Sequence, residues 1–239
     1  MSLAGTTAVI LGGTSGIGFA VARAAIGAGA RVVVASSNPA RIESAVARLG
    51  DAATGQVVDA SDSAALDAFF ASVGPFEHLV YTAAGTLTPV PLAAYTTETA
   101  RDFFSLRLVA AFDAVRAALP HLAARGSIIL TSGSAAHRSG AGWVLGAAAS
   151  GAMISATRAL AVELAPIRVN VVAPGVVRSP LWAGLSEAEQ EALYAGVAAS
   201  VPLGRVAEVD DVAKAYLYAM EQEYATGSEI LVDGGSILA

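Results

Sequence analysis

The 239-residue sequence contains no cysteine. That excludes a disulfide framework and any thiolate metal centre. Charge is also scarce: Asp, Glu, Lys and Arg make up 14% of the residues, and the formal net charge is −6. The basic residues are scattered, so the chain offers no electrostatic footprint for nucleic acid or an anionic membrane surface. No basic n-region leads into a signal-like apolar core, and no uncharged apolar run reads as a membrane span. The Ala-rich stretch 141–156 comes closest, but its side chains are small and glycine interrupts it. Linkers, internal repeats and low-complexity segments are missing as well. These absences predict a cytoplasmic protein with one domain over residues 1–239, a small-molecule ligand, and no metal, nucleic-acid or membrane partner.

What the sequence holds in quantity is apolar and small. Hydrophobic residues reach 55% and glycines number 24, which suits helices packed closely on a sheet, with some of the cover supplied by a second subunit. Apolar runs of strand character are expected at 8–11, 30–35, 56–58, 78–81, 126–131, 168–172 and 229–232. Helices are expected at 19–28, 40–49, 64–73, 98–124, 142–164, 187–199 and 208–220, with Asp62 placed to cap the third. Strands and helices alternating across short loops give a doubly wound α/β fold, a parallel sheet with helices on both faces.

The first strand and helix are joined by Gly12-Gly13-Thr14-Ser15-Gly16-Ile17-Gly18. A helix beginning there aims its unpaired N–H groups and its dipole at one spot, where a phosphate is held. The glycines serve different ends. Gly12 makes the sharp exit from the strand, Gly16 lets the backbone approach a pyrophosphate, and Gly18 lets helix lie on strand. Valine at Gly16 or at Gly18 is accordingly expected to remove nucleotide binding and leave the fold largely intact.

Taken in order, the motifs resemble the short-chain dehydrogenase/reductase family over essentially the whole chain. The matching pieces are the glycine turn, Asp59, Ala84-Gly85, Arg168-Val169-Asn170, Pro174-Gly175-Val176-Val177, Gly204-Arg205 with Asp210-Asp211-Val212-Ala213, and Asp233-Gly234-Gly235. The resemblance implies a Rossmann domain with a seven-stranded parallel sheet, a homo-dimer or homo-tetramer, and a nicotinamide dinucleotide at the carboxyl ends of the strands. It places Thr14, Ser15 and Ile17 on the phosphates, Asp59 beside Ala60 on the adenine amino group, and Ala84-Gly85 against the adenosine ribose. Val177 would meet the nicotinamide carboxamide, with Ser179 nearby. Where an acidic residue would select NAD, this chain has Ser36-Ser37-Asn38, short neutral donors that favour the 2′-phosphate of NADP.

The departures from the family bear on chemistry. The family's reaction uses a tyrosine as acid/base, a lysine four residues later, an orienting serine and a supporting asparagine. Counted from the flanking motifs, those positions fall on Gly146, Ser150, Gly133 and Arg107. Three candidates are left to act: His137, which can hold a proton near neutral pH or be a solvated loop residue; Ser134 beside the altered serine position; and Arg107 itself, which can fill the missing lysine's volume as a permanent cation or pair with Asp102 or Asp113. Trp143 and Trp182 read as cleft-wall or interface packing. Three functions remain open at this point. One is an oxidoreductase acting on a small apolar carbonyl or alcohol through a rebuilt site. The others are a nucleotide-binding or scaffold protein that has lost the reaction, and a non-redox enzyme using the same cleft for proton chemistry or cyclisation.

Overall fold

The computed structural model describes residues 3–239. Its strands are β1 (Thr7–Leu11), β2 (Arg31–Ser36), β3 (Ala53–Val57), β4 (Phe76–Tyr81), β5 (Leu122–Thr131), β6 (Arg168–Pro174), β7 (Val177–Arg178), β8 (Ala207–Glu208) and β9 (Glu229–Val232). The helices are α1 (Gly16–Gly27), α2 (Pro39–Leu49), α3 (Ser63–Val73), α4 (Thr97–Phe104), α5 (Ala110–Ala118), α6 (Val144–Glu163), α7 (Glu187–Ser200) and α8 (Val209–Glu221). Among the described residues, seven strands form one sheet in the order β3-β2-β1-β4-β5-β6-β9, every neighbouring pair parallel, while β7 and β8 make a separate short ladder. From β1 the chain winds outward to β3, then returns to β4 on the other side. This reversal between β1 and β4 opens a crevice beyond their carboxyl ends, where ligands of such sheets bind.

Burial follows the pleat. Val9 and Leu11 join the core layer of α3, α5 and α6, with Leu66, Phe70, Ala114 and Met153, whereas Ala8 and Ile10 join the layer of α1 and α8, with Val21 and Tyr216. Both faces are covered, so the strands are apolar throughout. By length and composition alone α6 is long and apolar enough to cross a membrane. In the fold it lies on the sheet, with Leu145, Ala149, Met153, Ile154, Thr157 and Ala161 buried.

Two expected boundaries moved. The third strand begins at Ala53 and ends at Val57, because Ala53, Thr54 and Gly55 pair with Val32, Val33 and Val34. Its glycine hid the signal but is required: a Cβ at Gly55 would stand 2.5 Å from Ile42 Cγ2 of α2. The helix expected over 98–124 is broken. Residues Ser105–Val109 form a π-helical turn between α4 and α5, and the chain is already in β5 at Leu122, two residues after Pro120 ends the helical ladder.

Motif residues also tie the base of the sheet. Arg168 donates from Nη1 to the Ala219 carbonyl at 2.6 Å and from Nη2 to that of Met220 at 2.8 Å, a cation at the C-terminus of α8. Asn170 donates to the Ala225 carbonyl at 2.8 Å and accepts from the Ser228 N–H at 3.1 Å. Beside them His78, 6% exposed, contacts Ser127 Oγ through Nδ1 at 2.8 Å, and its buried Nε2 has no partner among the described residues. Burial, with the Arg168 charge adding to it, lowers the His78 pKa to about 4.

A pH dependence follows from that value. The unfolded chain takes up a proton at His78 near the ordinary pKa of about 6.5, and the folded chain does not until about pH 4. The neutral histidine's contribution is therefore complete above about pH 6.5 and is lost as pH falls toward 4, on the order of 3 kcal/mol in all. Urea unfolding at pH 7.5 and pH 4.5 is expected to show a steeper acid loss for the parent than for His78→Leu. Parallel losses in the two proteins would contradict it.

Candidate active site

The glycine turn closes around three different spaces. Gly12, at φ +85°, would place a Cβ 2.7 Å from the Ala83 nitrogen, so the strand exit and the loop after β4 lie in backbone contact. A Cβ at Gly18 would lie 2.4 Å from both the Gly12 carbonyl oxygen and Thr82 Oγ1. Thr82 is a residue the motifs did not single out: its hydroxyl donates to the Leu11 carbonyl at 3.0 Å and locks the ends of β1 and β4 together. The expectation that Gly18 tolerates valine is thereby corrected, since that side chain would collide with backbone. At Gly16, φ +53°, a Cβ would meet nothing closer than Pro180 Cδ at 3.5 Å and Ser179 Cβ at 3.7 Å. Helix α1 starts at that point with no side-chain cap on Ser15 and no acidic residue in its first turn. By contrast α2, α3 and α7 begin with side-chain caps from Asn38, Asp62 and Ser186. The first N–H groups of α1 thus have no side-chain cap, and the helix dipole stands behind them.

On the β2–β3 side, the expected 2′-phosphate residues are partly engaged. Asn38 Oδ1 caps α2 by accepting from the Arg41 N–H at 3.0 Å, and Ser36 Oγ accepts from the Asn38 N–H at 3.3 Å. Ser37 and Arg41 are exposed. Asp59 uses Oδ1 to accept from the Ser61 hydroxyl at 2.7 Å and its N–H at 2.9 Å, and these bonds, the hydroxyl's the larger effect, hold its carboxyl below the usual carboxylate range. Its Oδ2 has no hydrogen-bond partner among the described residues. Ala60 is buried next to it.

On the opposite side, Val177 is buried and its carbonyl accepts from Trp182 Nε1 at 2.9 Å. Trp182 and Trp143 meet edge to face, ring centroids 6.1 Å apart, in an apolar cluster with Tyr194, Val206, Leu87 and Leu181. The loop after β4 is strapped across this cluster: the Leu87 N–H donates to the Leu181 carbonyl and the Val90 N–H to that of Gly142, each at 2.9 Å. A Cβ at Gly146 would lie 3.2 Å from Trp143 Cε3, so the indole covers that position. A Cβ at Gly133 would lie 3.2 Å from Ser150 Oγ, and Ser132 Oγ donates to the Ser150 carbonyl at 2.9 Å. The chain's one lysine, Lys214, is on α8.

Arg107 leaves the π turn and donates from Nη2 to the carbonyls of Gly85 at 2.7 Å and Thr86 at 3.0 Å, its guanidinium 4.2 Å from the centre of the Phe103 ring. Neither Asp102 nor Asp113 pairs with it among the described residues. Burial lowers its pKa, and Tyr81 opposes that shift. Ser134 opens the short turn after β5, and its hydroxyl has no hydrogen-bond partner among the described residues. His137 sits at the end of that turn with Nε2 bound to Glu229 Oε1 at 2.6 Å. Glu229 pairs with Val171, whereas Val232 pairs with Pro174. Through Val171, Leu130 and Tyr81, Glu229 is level with Leu11 at the end of β1 but lies four strands away at the sheet edge, so its bond ties His137 to the side of the sheet. The structure brings Gly16, Ser179, Ala84, Gly85 and Arg107 to one crevice and holds His137 on the edge strand.

Comparison with known proteins is consistent along the chain. A family model described as enoyl-(acyl carrier protein) reductase matches residues 12–236. The short-chain dehydrogenase/reductase ATR9 of Stachybotrys chlorohalonatus is 38% identical, the match covering 99% of this chain and 99% of that protein. The solved MalC reductase/Diels-Alderase from Malbranchea aurantiaca is 33% identical with a TM-score of 0.91, covering 99% of this chain and 98% of its own. An NADPH-bound short-chain oxidoreductase from Pseudomonas aeruginosa PAO1 containing an atypical catalytic center is 29% identical with a TM-score of 0.90, covering 100% and 98%.

Proposed function

The chain belongs to the short-chain dehydrogenase/reductase family, and from that premise we propose that it is an NADP(H)-dependent oxidoreductase acting on a small apolar carbonyl or alcohol through a rebuilt site. The observation that carries this is the contrast between the glycines: a Cβ at Gly12 or Gly18 would collide with backbone, while at Gly16 it would find an opening bounded by Pro180 and Ser179, at a helix start without a side-chain cap. A turn that served folding alone has no use for that opening. The similarity to an NADPH-bound oxidoreductase with an atypical catalytic center supports the same reading.

In this reading the N–H groups of the Thr14–Ile17 turn, with the Thr14 and Ser15 hydroxyls, hold the pyrophosphate. Asp59 Oδ2 accepts from the adenine amino group beside Ala60, and Ser36, Ser37 and the Asn38 amide donate to the 2′-phosphate. The loop of Ala84 and Gly85 packs on the adenosine ribose, and Val177 and Ser179 orient the carboxamide. Bound NADPH would supply a hydride to the carbonyl carbon. The family's tyrosine, lysine, serine and asparagine positions are Gly146, Ser150, Gly133 and Arg107, so this chain must manage charge in another way. Arg107, always protonated, opposes the negative charge that develops on the substrate oxygen, and the free Ser134 hydroxyl orients that oxygen. His137, on the same loop with Nε2 held by Glu229, is the proton donor proposed for that oxygen. The tryptophan-lined cluster under the strapped loop takes the apolar portion of the substrate. Exposed Val109, Phe112, Val144 and Val162 on α5, α6 and the π turn are the faces by which two copies would associate.

A second reading has its own support: the structural likeness to a reductase that is also a Diels-Alderase, together with glycine and serine at the family's tyrosine and lysine positions, Gly146 and Ser150. There the nucleotide binds and the cleft shapes a cyclisation. A carbonyl panel with NADPH separates the two, with absorbance reporting oxidation and fluorescence reporting binding. Oxidation above the substrate-free rate supports the oxidoreductase; binding without oxidation across the panel supports the other. Calorimetry is expected to show NADPH binding at least about tenfold tighter than NADH, because phosphate meets neutral donors in the Ser36–Asn38 turn and no carboxylate. Equal or reversed affinities would defeat that assignment.

A further inference from the structure

We propose that Tyr81 is a positioning residue for Arg107, its phenol fixing the π turn from which the guanidinium reaches the crevice. The proposal rests on the reading of Arg107 as the cation of the site. A π turn takes one more residue per ring than an α-helix and is a marginal conformation that needs support from outside the helix. Here the support is visible. The Tyr81 hydroxyl donates to the Leu106 carbonyl at 2.6 Å, one peptide before Arg107, from a ring that is 3% exposed. That bond fixes the peptide plane from which the Arg107 side chain departs.

The donor is itself immobilised by the sheet. Thr131 Oγ1 donates to the Tyr81 carbonyl at 2.6 Å, and because its proton is used there it accepts from the Tyr216 hydroxyl at 2.7 Å. Tyr81 ends β4, and the loop that follows carries the Gly85 and Thr86 carbonyls on which Arg107 closes. Two segments are thus clamped in both directions: the end of β4 holds the π turn through Tyr81, and the π turn holds the loop after β4 through Arg107. The phenol has no further hydrogen-bond partner among the described residues, so it passes no proton onward and acts by placement alone.

The test is a double-mutant cycle on NADPH affinity, read by cofactor fluorescence, with Tyr81→Phe and Arg107→Met alone and together, each variant checked by its thermal midpoint. If Tyr81 acts through Arg107, Tyr81→Phe weakens NADPH binding about fivefold in the parent and by less than about 1.5-fold when Arg107 is already methionine. Equal losses in both backgrounds would show that the phenol serves the fold in general and would overturn the proposal. No loss on Tyr81→Phe while Arg107→Met weakens binding overturns it too, and leaves the reading of Arg107 standing. No loss from either variant overturns the proposal, because the clamp then does not bear on the cofactor, while the role of Arg107 at the substrate oxygen is read separately from turnover in the Arg107→Met protein. Should Tyr81→Phe not fold, hydrogen exchange on the parent protein decides: amides of residues 105–109 protected like those of α5 support a pinned turn, and exchange as fast as the 86–91 loop overturns it.

Discussion

Gly16→Val is expected to raise the NADPH dissociation constant by at least about a hundredfold in a folded protein, whereas Gly18→Val is expected to yield little folded protein at all. The two positions lie in one turn, two residues apart, and the sequence motif gives them equal standing. The structure separates them. At Gly16 the first added carbon would stand 3.5 Å from Pro180 Cδ and 3.7 Å from Ser179 Cβ, ordinary contact without a clash, and the side chain would take the space proposed for the pyrophosphate. Its folding cost is the positive φ, about 1–2 kcal/mol for a residue with a Cβ. At Gly18 the same carbon would stand 2.4 Å from the Gly12 carbonyl and from Thr82 Oγ1. Relief would require lifting α1 off the sheet and breaking the Thr82 to Leu11 bond, and overpacking against backbone in this core costs several kcal/mol, on the order of half a domain's stability. Thermal midpoints and NADPH titration of both variants check this. A Gly16→Val protein that binds NADPH like the parent would reduce the cradle to a turn, and a Gly18→Val protein with the parental midpoint would contradict the packing.

Restoring the family residues, as Gly146→Tyr with Ser150→Lys, is expected to give no NADPH turnover and a protein about 1–3 kcal/mol less stable than the parent. The obstacle is Trp143. Its ring covers Gly146 at 3.2 Å from the position of a Cβ, and it is braced edge to face by Trp182, which is buried and bonded to the Val177 carbonyl. A tyrosine side chain at 146 would have to displace that indole before it could enter the cleft. The sequence pointed to a different obstacle, Arg107 filling the lysine's volume, but the guanidinium is bound to Gly85 and Thr86 and packed on Phe103. Adding Trp143→Ala should therefore return most of the lost stability, far more than the same change does in the parent, where truncation leaves a hole. Unfolding free energies of the double variant, Trp143→Ala and the triple variant form the cycle. A double variant as stable as the parent would show that Trp143 yields freely, and the tryptophan would then not be what separates this site from the family's.

The order of strands and helices was legible because it depends on local pattern. Runs such as Val32-Val33-Val34 and Ile128-Ile129-Leu130 are apolar on both faces only because helices cover both faces of a parallel sheet, and the Gly12–Gly18 turn announces its ligand through spacing alone. Turn chemistry was legible for the same reason: Asp62 caps α3 through the Ala64 and Ala65 N–H groups as its position implied. What the sequence hid are features made by contacts between distant segments. Gly55 reads as a break and is in fact a strand residue, because α2 passes too close for any side chain. The π turn at Ser105–Val109 has no periodic signature, since one inserted residue is held by a hydrogen bond from Tyr81, 25 positions away. His137 reads as a free loop acid until Glu229, 92 positions on, takes one of its nitrogens. Spacing along the chain determined the fold and the nucleotide cradle, since both are built from near neighbours and repeat periods. How the cleft residues meet one another was decided only in three dimensions, because Trp143, Arg107 and Ser179 pack against Trp182, Gly85 and Gly16, which the sequence places far from them.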